Sequence, residues 1–320
     1  MNILEQANEV YNKNFPNTTW FGKCIFISWY CDIGTCKFCY RSTIKNNIKS
    51  IENARRTPKS IYVEALLAKH LNWRIEFLTG GYNIYPIEKL VEITKKVSEI
   101  YQDKLWLNLG VLKQEDFELL KPYTEGIVAS IETINPELHE KICPNKPLDK
   151  YKDMLKSAKG LKKSATIVIG LGEKDSDMDL LFDFIKEHKL DRITFYALKP
   201  VTGTIYTKGP STEEYIKWIA NTRINFPKLE IITGTTANRV NEISSLLKAG
   251  SNAITKFPAT KLFNSKKARI FEEEVKKSGR TFISTLTDVN QLQKLKNIEI
   301  ESNIKEKLLE YLEVMEKLKK

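Results

Sequence analysis

Residues 24–39 read CIFISWYCDIGTCKFC: an apolar, strand-like run from Cys24 to Tyr30 breaks into a loop that carries Cys31, Cys36 and Cys39. Three of the chain's five cysteines thus fall within nine residues. Three thiolates on one polar loop point to a metal. A site-differentiated iron–sulfur cluster suits them best, because three protein ligands hold four irons and leave the fourth iron open to bind something else. Buried free thiols pack as small hydrophobes, yet independent core cysteines rarely meet on a loop bearing Asp32, Gly34, Thr35 and Lys37. A structural zinc site wants a fourth Cys or His at close spacing, and the nearest histidine is His70. Cys24 and Cys143 are left over and read as packing residues.

Outward from this loop, short β-rich runs alternate with longer amphipathic segments. Strands are predicted at 25–30, 74–79, 105–109, 126–131, 165–169, 192–197, 229–233 and 252–256. Helices are predicted at 58–71, 86–101, 148–161, 176–188, 212–222, 238–248 and 265–277. Pro58 and Pro86 sit near helix starts, where a missing N–H costs nothing. Gly250 and Gly279 sit where a left-handed C-terminal cap is wanted. Alternating strands and helices imply a parallel sheet with right-handed crossovers, and eight units fit a closed (β/α)₈ TIM barrel. A doubly wound open sheet is the alternative, but no G-x-G-x-x-G follows the first strand. The expectation is one α/β domain over 1–320, with a barrel core at about 21–280, a short N-terminal extension and a helical C-terminal extension at about 289–320. In the last segment Ile304, Leu308, Leu309, Leu312, Met315 and Leu318 form a stripe that docks a terminal helix onto its own domain.

The chain of 320 residues is 42% hydrophobic, enough for a large core. It contains no run of about 18 apolar residues that would span a membrane, and its first residues lack the apolar centre of a secretory signal. A reducing, anaerobic cytoplasm is the expected compartment, where a tight cysteine group reads as metal-binding rather than disulfide-forming. The net charge of +11 is spread over nearly every polar segment. Solvated helix faces account for it better than a nucleic-acid surface does; a basic nucleic-acid-binding protein with a closed structural metal site is the rival class.

Active sites of (β/α)₈ barrels sit at the C-terminal strand ends, and the unusual residues gather there. They are the cysteine loop, Thr79-Gly80-Gly81-Tyr82, Asn108, Ser130 and Glu132, Gly170-Leu171-Gly172-Glu173, Tyr196, Thr233 to Thr236, and Lys256. With these motifs in this order, from about Phe21 to Arg280, the chain resembles radical S-adenosylmethionine (SAM) enzymes of the biotin synthase, FeFe-hydrogenase maturase and methylornithine synthase subfamily. The resemblance implies a 4Fe–4S cluster on Cys31, Cys36 and Cys39, with SAM on its open iron. It further implies that Phe38 contacts adenine, that the backbone of Thr79, Gly80 and Gly81 binds the methionine amine, with Tyr82 in the place of an acid, and that Ser130 and Glu132 hold ribose and amino-acid groups. Ile169 and Gly170 would pack against adenine, and Tyr196 would complete the cofactor site. Reductive cleavage of SAM would give a 5′-deoxyadenosyl radical acting on a small organic substrate in cofactor biosynthesis. From strand-end position, Asn108, Tyr196, Thr233, Thr235, Arg239 and Lys256 are candidate substrate contacts. A reducing partner such as ferredoxin or flavodoxin, and a partner enzyme of the same pathway, are implied as well.

Two departures from the family pattern matter. The usual spacing is C-x₃-C-x₂-C, whereas here it is C-x₄-C-x₂-C. An altered first interval also occurs, as C-x₅-C-x₂-C, in the HmdB proteins that help make the iron-guanylylpyridinol cofactor of Fe-hydrogenase. Secondly, biotin synthase carries additional cysteines on strands two, three and five for a sulfur-donating cluster, and the runs IEFLTG, LWLNLG and ATIVIG contain none. Sulfur insertion then needs a second component, as in two-protein archaeal lipoyl synthases, which is the alternative activity.

Overall fold

The computed structural model describes residues 2–146 and 148–317. Eight strands alternate with helices: β1 (Thr18–Phe26), β2 (Arg74–Thr79), β3 (Leu105–Asn108), β4 (Thr124–Glu132), β5 (Lys162–Ile169), β6 (Arg192–Ala197), β7 (Glu230–Gly234) and β8 (Ala253–Thr255). Neighbours are parallel throughout, and β1 pairs with both β2 (Gly22↔Arg74) and β8 (Trp20↔Ala253), so the sheet closes on itself. This is the (β/α)₈ barrel that the sequence predicts. A short strand, β9 (Thr281–Phe282), adds to the start of β1; two residues are too few to show a period in sequence.

The largest shift from expectation is at β1, predicted at 25–30 and found at Thr18–Phe26. Gly22 and Lys23 interrupt its apolar pattern, which hides a strand. Beyond Phe26 the chain leaves the barrel ladder: Ile27 N–H still donates to Thr79 O at 2.8 Å, but Trp29 N–H donates to Ala54 O at 2.9 Å. The cysteine loop is thereby fastened to the segment that follows it as well as to β2.

Side chains alternate across each strand. In β4, Ile127, Ala129 and Ile131 face the helices in the main core, while Val128 faces the barrel interior with Phe77, Trp106, Val168 and Tyr196. The helix Pro58–His70 begins on Pro58 as expected. Gly250 and Gly279 take φ of +99° and +84°, the left-handed cap that glycine permits. The C-terminal helix Ser302–Glu316 buries Ile304, Leu308, Leu312 and Met315 and is tied in by an Arg56–Tyr311 hydrogen bond of 2.8 Å. Leu309 lies off this stripe, 43% exposed, and Leu318 falls outside the described residues. Over the barrel mouth, the short helix Tyr40–Ile44 meets the loop after β6: a Cβ on Gly203 would lie 3.2 Å from Thr43 Cγ2.

Candidate functional site

The cysteine loop leaves β1 at the C-terminal end of the barrel. Cys31, Cys36 and Cys39 are unpaired thiols, all partly exposed. Gly34, inside the lengthened first interval, takes a φ of +51°. The Lys45 side chain lies across it and donates to Asp32 O and, at 3.2 Å, to Ile33 O. A Cβ at Gly34 would come within 2.3 Å of Lys45 Cδ, so only glycine leaves room for this strap. Gly81 presses on the loop from the other side: a Cβ there would lie 2.2 Å from Tyr30 O and 2.5 Å from Cys31 Cα. Asp32 N–H donates to Tyr82 O at 3.3 Å, so Thr79-Gly80-Gly81-Tyr82 and the cysteine loop form one surface, as the motif order implies.

Among the described residues, no three His, Cys, Asp or Glu side chains converge closely enough for a single metal ion. Three thiols on one rim suit a polynuclear cluster, whose irons are spread over a cube. Around them lie buried polar atoms with no partner, namely Thr35 Oγ1, Tyr40 OH and His139 Nε2. Orphaned buried polar groups are costly, and so many beside three thiols mark a place for a polar ligand. The residues present therefore fit a thiolate-bound cluster with a polar co-ligand.

Glu132 stands at the end of β4 in a left-handed conformation, φ +61°, a strained setting for a non-glycine residue that often marks a functional position. Its carboxylate accepts from Lys146 Nζ at 2.6 Å, with both side chains nearly buried. Burial works against the charge on Lys146, but Glu132, Tyr151 and the neighbouring thiols together raise its pKa well above the ordinary value. Hydrogen bonding with Cys143 holds Cys36 below the usual thiol range, against burial and with help from Lys146, while burial pushes Cys39 up. The sequence reading did not single out Lys146. Its signal, a lysine three residues beyond Cys143, is faint in a lysine-rich chain.

Phe38 and Cys36 pack on the interior apolar wall with Leu138, Cys143, Val168 and Leu171. Ile169, expected against adenine, faces the helices in the main core instead; strand alternation puts Val168 toward the mouth. Gly170 N–H donates to Glu173 Oε1 at 2.6 Å. Ser130 Oγ donates to Asn108 Oδ1 at 2.7 Å, which leaves the Asn108 amide N–H groups turned elsewhere. Lys256 holds Nζ 4.4 Å from the centre of the Tyr196 ring.

Three of the proposed substrate contacts are committed to other work. Thr233 is fully buried and accepts from Ser251 Oγ at 3.0 Å, since its position in β7 faces outward. Arg239 makes a bidentate pair with Glu242 (2.8 and 2.6 Å) and donates to Pro210 O. Thr235 Oγ1 joins the same network at 3.0 Å from Glu242 Oε1. Tyr196 turns its hydroxyl inward to the buried Glu76, while Asn108 and Lys256 remain at the mouth.

A further group escaped the sequence reading. Glu76 on β2 is fully buried within the barrel, where Oε1 accepts from Tyr196 OH (2.8 Å) and Thr194 Oγ1 (3.2 Å). Oε2 accepts from Cys24 Sγ at 2.8 Å and from Thr255 Oγ1. Cys24 is thus a polar participant and not only the packing residue expected.

Comparison with known proteins agrees with this geometry. The chain is 41% identical over 314 residues to the uncharacterized protein MJ0597 of Methanocaldococcus jannaschii, covering 96% of this chain and 87% of that protein. It is 28% identical over 266 residues to a biotin synthase of Clostridium tetani, covering 79% and 80%. Two solved structures share the fold. Methylornithine synthase (PylB) matches with a TM-score of 0.68 at 21% identity, over 79% of this chain and 76% of that one. The FeFe-hydrogenase maturase HydG from Carboxydothermus hydrogenoformans matches with a TM-score of 0.72 at 16% identity, over 97% and 81%. The Radical SAM superfamily profile matches residues 26–185, from the end of β1 past the start of the helix after β5, and on the combined weight of this match and the site geometry the chain belongs to the radical SAM superfamily.

Proposed function

We propose that the chain is a radical SAM enzyme that acts on a small organic substrate in cofactor biosynthesis, with Cys31, Cys36 and Cys39 holding a 4Fe–4S cluster. The observation that carries this reading is the single rim formed by the three thiols, Gly80-Gly81 and the buried Glu132–Lys146 pair. When bound, the cluster and SAM supply a 5′-deoxyadenosyl radical. The protein's part is to place SAM and substrate and to exclude water. Glycines at 80 and 81 let the backbone approach the methionine amine closely. Lys146 offers a charge-assisted bond to the methionine carboxylate, and Glu132, fixed by that lysine, accepts from the ribose hydroxyls. Phe38 and Val168 give adenine an apolar wall. Lys256, beside Tyr196 at the mouth, suits a substrate with an anionic group. Reduction calls for a one-electron donor such as ferredoxin or flavodoxin.

Within cofactor biosynthesis, an HmdB-like role in assembling the iron-guanylylpyridinol cofactor is the subordinate reading, since the first cysteine interval is lengthened by one residue here and by two in those proteins. The absence of cysteine from the second, third and fifth strand runs weighs against sulfur insertion without a partner. The test is anaerobic reconstitution with iron and sulfide, then incubation with SAM and dithionite. Formation of 5′-deoxyadenosine, with cluster content and activity both lost in Cys36→Ala, is expected. A fully loaded protein that leaves SAM intact would refute the proposal.

A further inference from the structure

The wall of the mouth carries a reactive group that SAM binding does not use. Cys24 lies on the same interior apolar lining as Cys36, Phe38 and Tyr196 and remains partly accessible. Its thiol points at Glu76 Oε2, 2.8 Å away, and stands 3.5 Å from Thr255 Oγ1. Tyr196 and Thr194 hold the other Glu76 oxygen, so the acceptor cannot turn away from the thiol. Burial first, and Glu76 second, push the Cys24 pKa well up, which keeps the S–H bond intact. In the same lining the buried indole Nε1 of Trp106 has no partner, an independent sign that a bound molecule extends down to this level.

A thiol held protonated on an apolar wall is a poor nucleophile but a good source of hydrogen atoms, because an S–H bond is weaker than an aliphatic C–H bond. The hydroxyls of Thr194 and Thr255 have stronger bonds and do not compete. We propose, on the strength of the radical reading above, that Cys24 is the hydrogen-atom donor that quenches a carbon-centred radical held in the barrel mouth. The S–H bond breaks homolytically as a C–H bond forms; proton and electron move together and a thiyl radical stays on Cys24. One electron from the donor that also reduces the cluster, with one proton from water, restores the thiol.

In D₂O the exchangeable S–H becomes S–D, which allows a test without knowing the substrate. Reconstituted protein incubated with SAM and dithionite alone is expected to release 5′-deoxyadenosine carrying one solvent deuterium, read by mass spectrometry. Cys24→Ala and Cys24→Ser are each expected to lose that label at unchanged cluster content, since serine keeps the bond to Glu76 but not a weak bond to hydrogen. Unlabelled product from the native chain, or label retained in both Cys24 variants, would overturn the proposal alone. Loaded native protein that makes no 5′-deoxyadenosine would overturn the radical reading and this proposal with it. In cofactor-free protein, an infrared S–H band that vanishes in Cys24→Ser and moves in Glu76→Gln is expected; a band indifferent to Glu76→Gln would remove its structural basis.

Discussion

Two buried charged clusters sit at opposite ends of the barrel. At the mouth, Glu132 and Lys146 pair beside His139, whose buried Nε2 has no partner. At the closed end, Arg280 lies 3.4 Å above the ring of Tyr11, and Arg223 stands 4.6 Å from Phe15. There the donors are accounted for. Arg223 Nε reaches Gly250 O at 2.9 Å, Nη1 reaches Pro227 O at 2.9 Å and Nη2 reaches Asn252 Oδ1 at 2.6 Å. Arg280 donates to Ser251 O and Leu247 O, and Tyr11 OH donates to Pro16 O or Thr18 O. The closed-end cluster knots the N-terminal helix Ile3–Asn14 to the loops before β7 and β8 and is complete in itself. At the mouth, His139 Nε2 and the hydroxyls of Thr35 and Tyr40 are left without partners. Buried charge alone therefore does not locate a site; here the thiols beside the mouth cluster do.

This contrast can be broken at four points. Gly81→Ala should have the largest effect, because its Cβ would drive into Tyr30 O and Cys31 Cα. Loss of most bound iron after reconstitution is expected, with far-ultraviolet circular dichroism unchanged; normal iron content would show that the loop yields. Arg223→Met should cost about 3 kcal/mol of stability by stranding several buried acceptors, measured as a lower urea midpoint, while iron content stays normal. Lys146→Met should do the reverse. SAM affinity is expected to fall about tenfold to a hundredfold, worth about 1.4–2.7 kcal/mol, with a smaller loss of stability than Arg223→Met; calorimetric titration beside denaturation separates the two. The smallest effect concerns pH. Burial holds His70, His139 and His188 below the ordinary value of 6.5, so the unfolded chain binds more protons as pH falls through that value. Stability should therefore decline on acidification, and His188→Phe should flatten the slope of urea midpoint against pH.

Much of this architecture is legible in the sequence because parallel strands covered by helices read as compact apolar runs. β2 and β6 fall where predicted, at Arg74–Thr79 and Arg192–Ala197. β1 is displaced because Gly22 and Lys23 break its pattern. The same inward alternation explains the misread site residues. In a closed barrel the helix-covered outer face is the apolar one and the interior can be polar. A glutamate inside IEFLTG thus looks like a solvent-facing residue while it lies at the centre of the molecule. Thr233 and Ile169 fail in the opposite sense: they stand at strand ends by number but face outward by parity. The cysteine loop was readable because its chemistry is local, whereas Lys146 and Glu76 acquire meaning only from residues brought to them by the fold.

The strap of Lys45 over Gly34 has a practical side. The shape of the longer first interval depends on a residue six positions beyond the last cysteine, so the functional unit is larger than the motif. By the same logic, grafting residues 31–39 alone into another barrel would transfer the ligands without the clasp that arranges them; the transplantable module runs to Lys45.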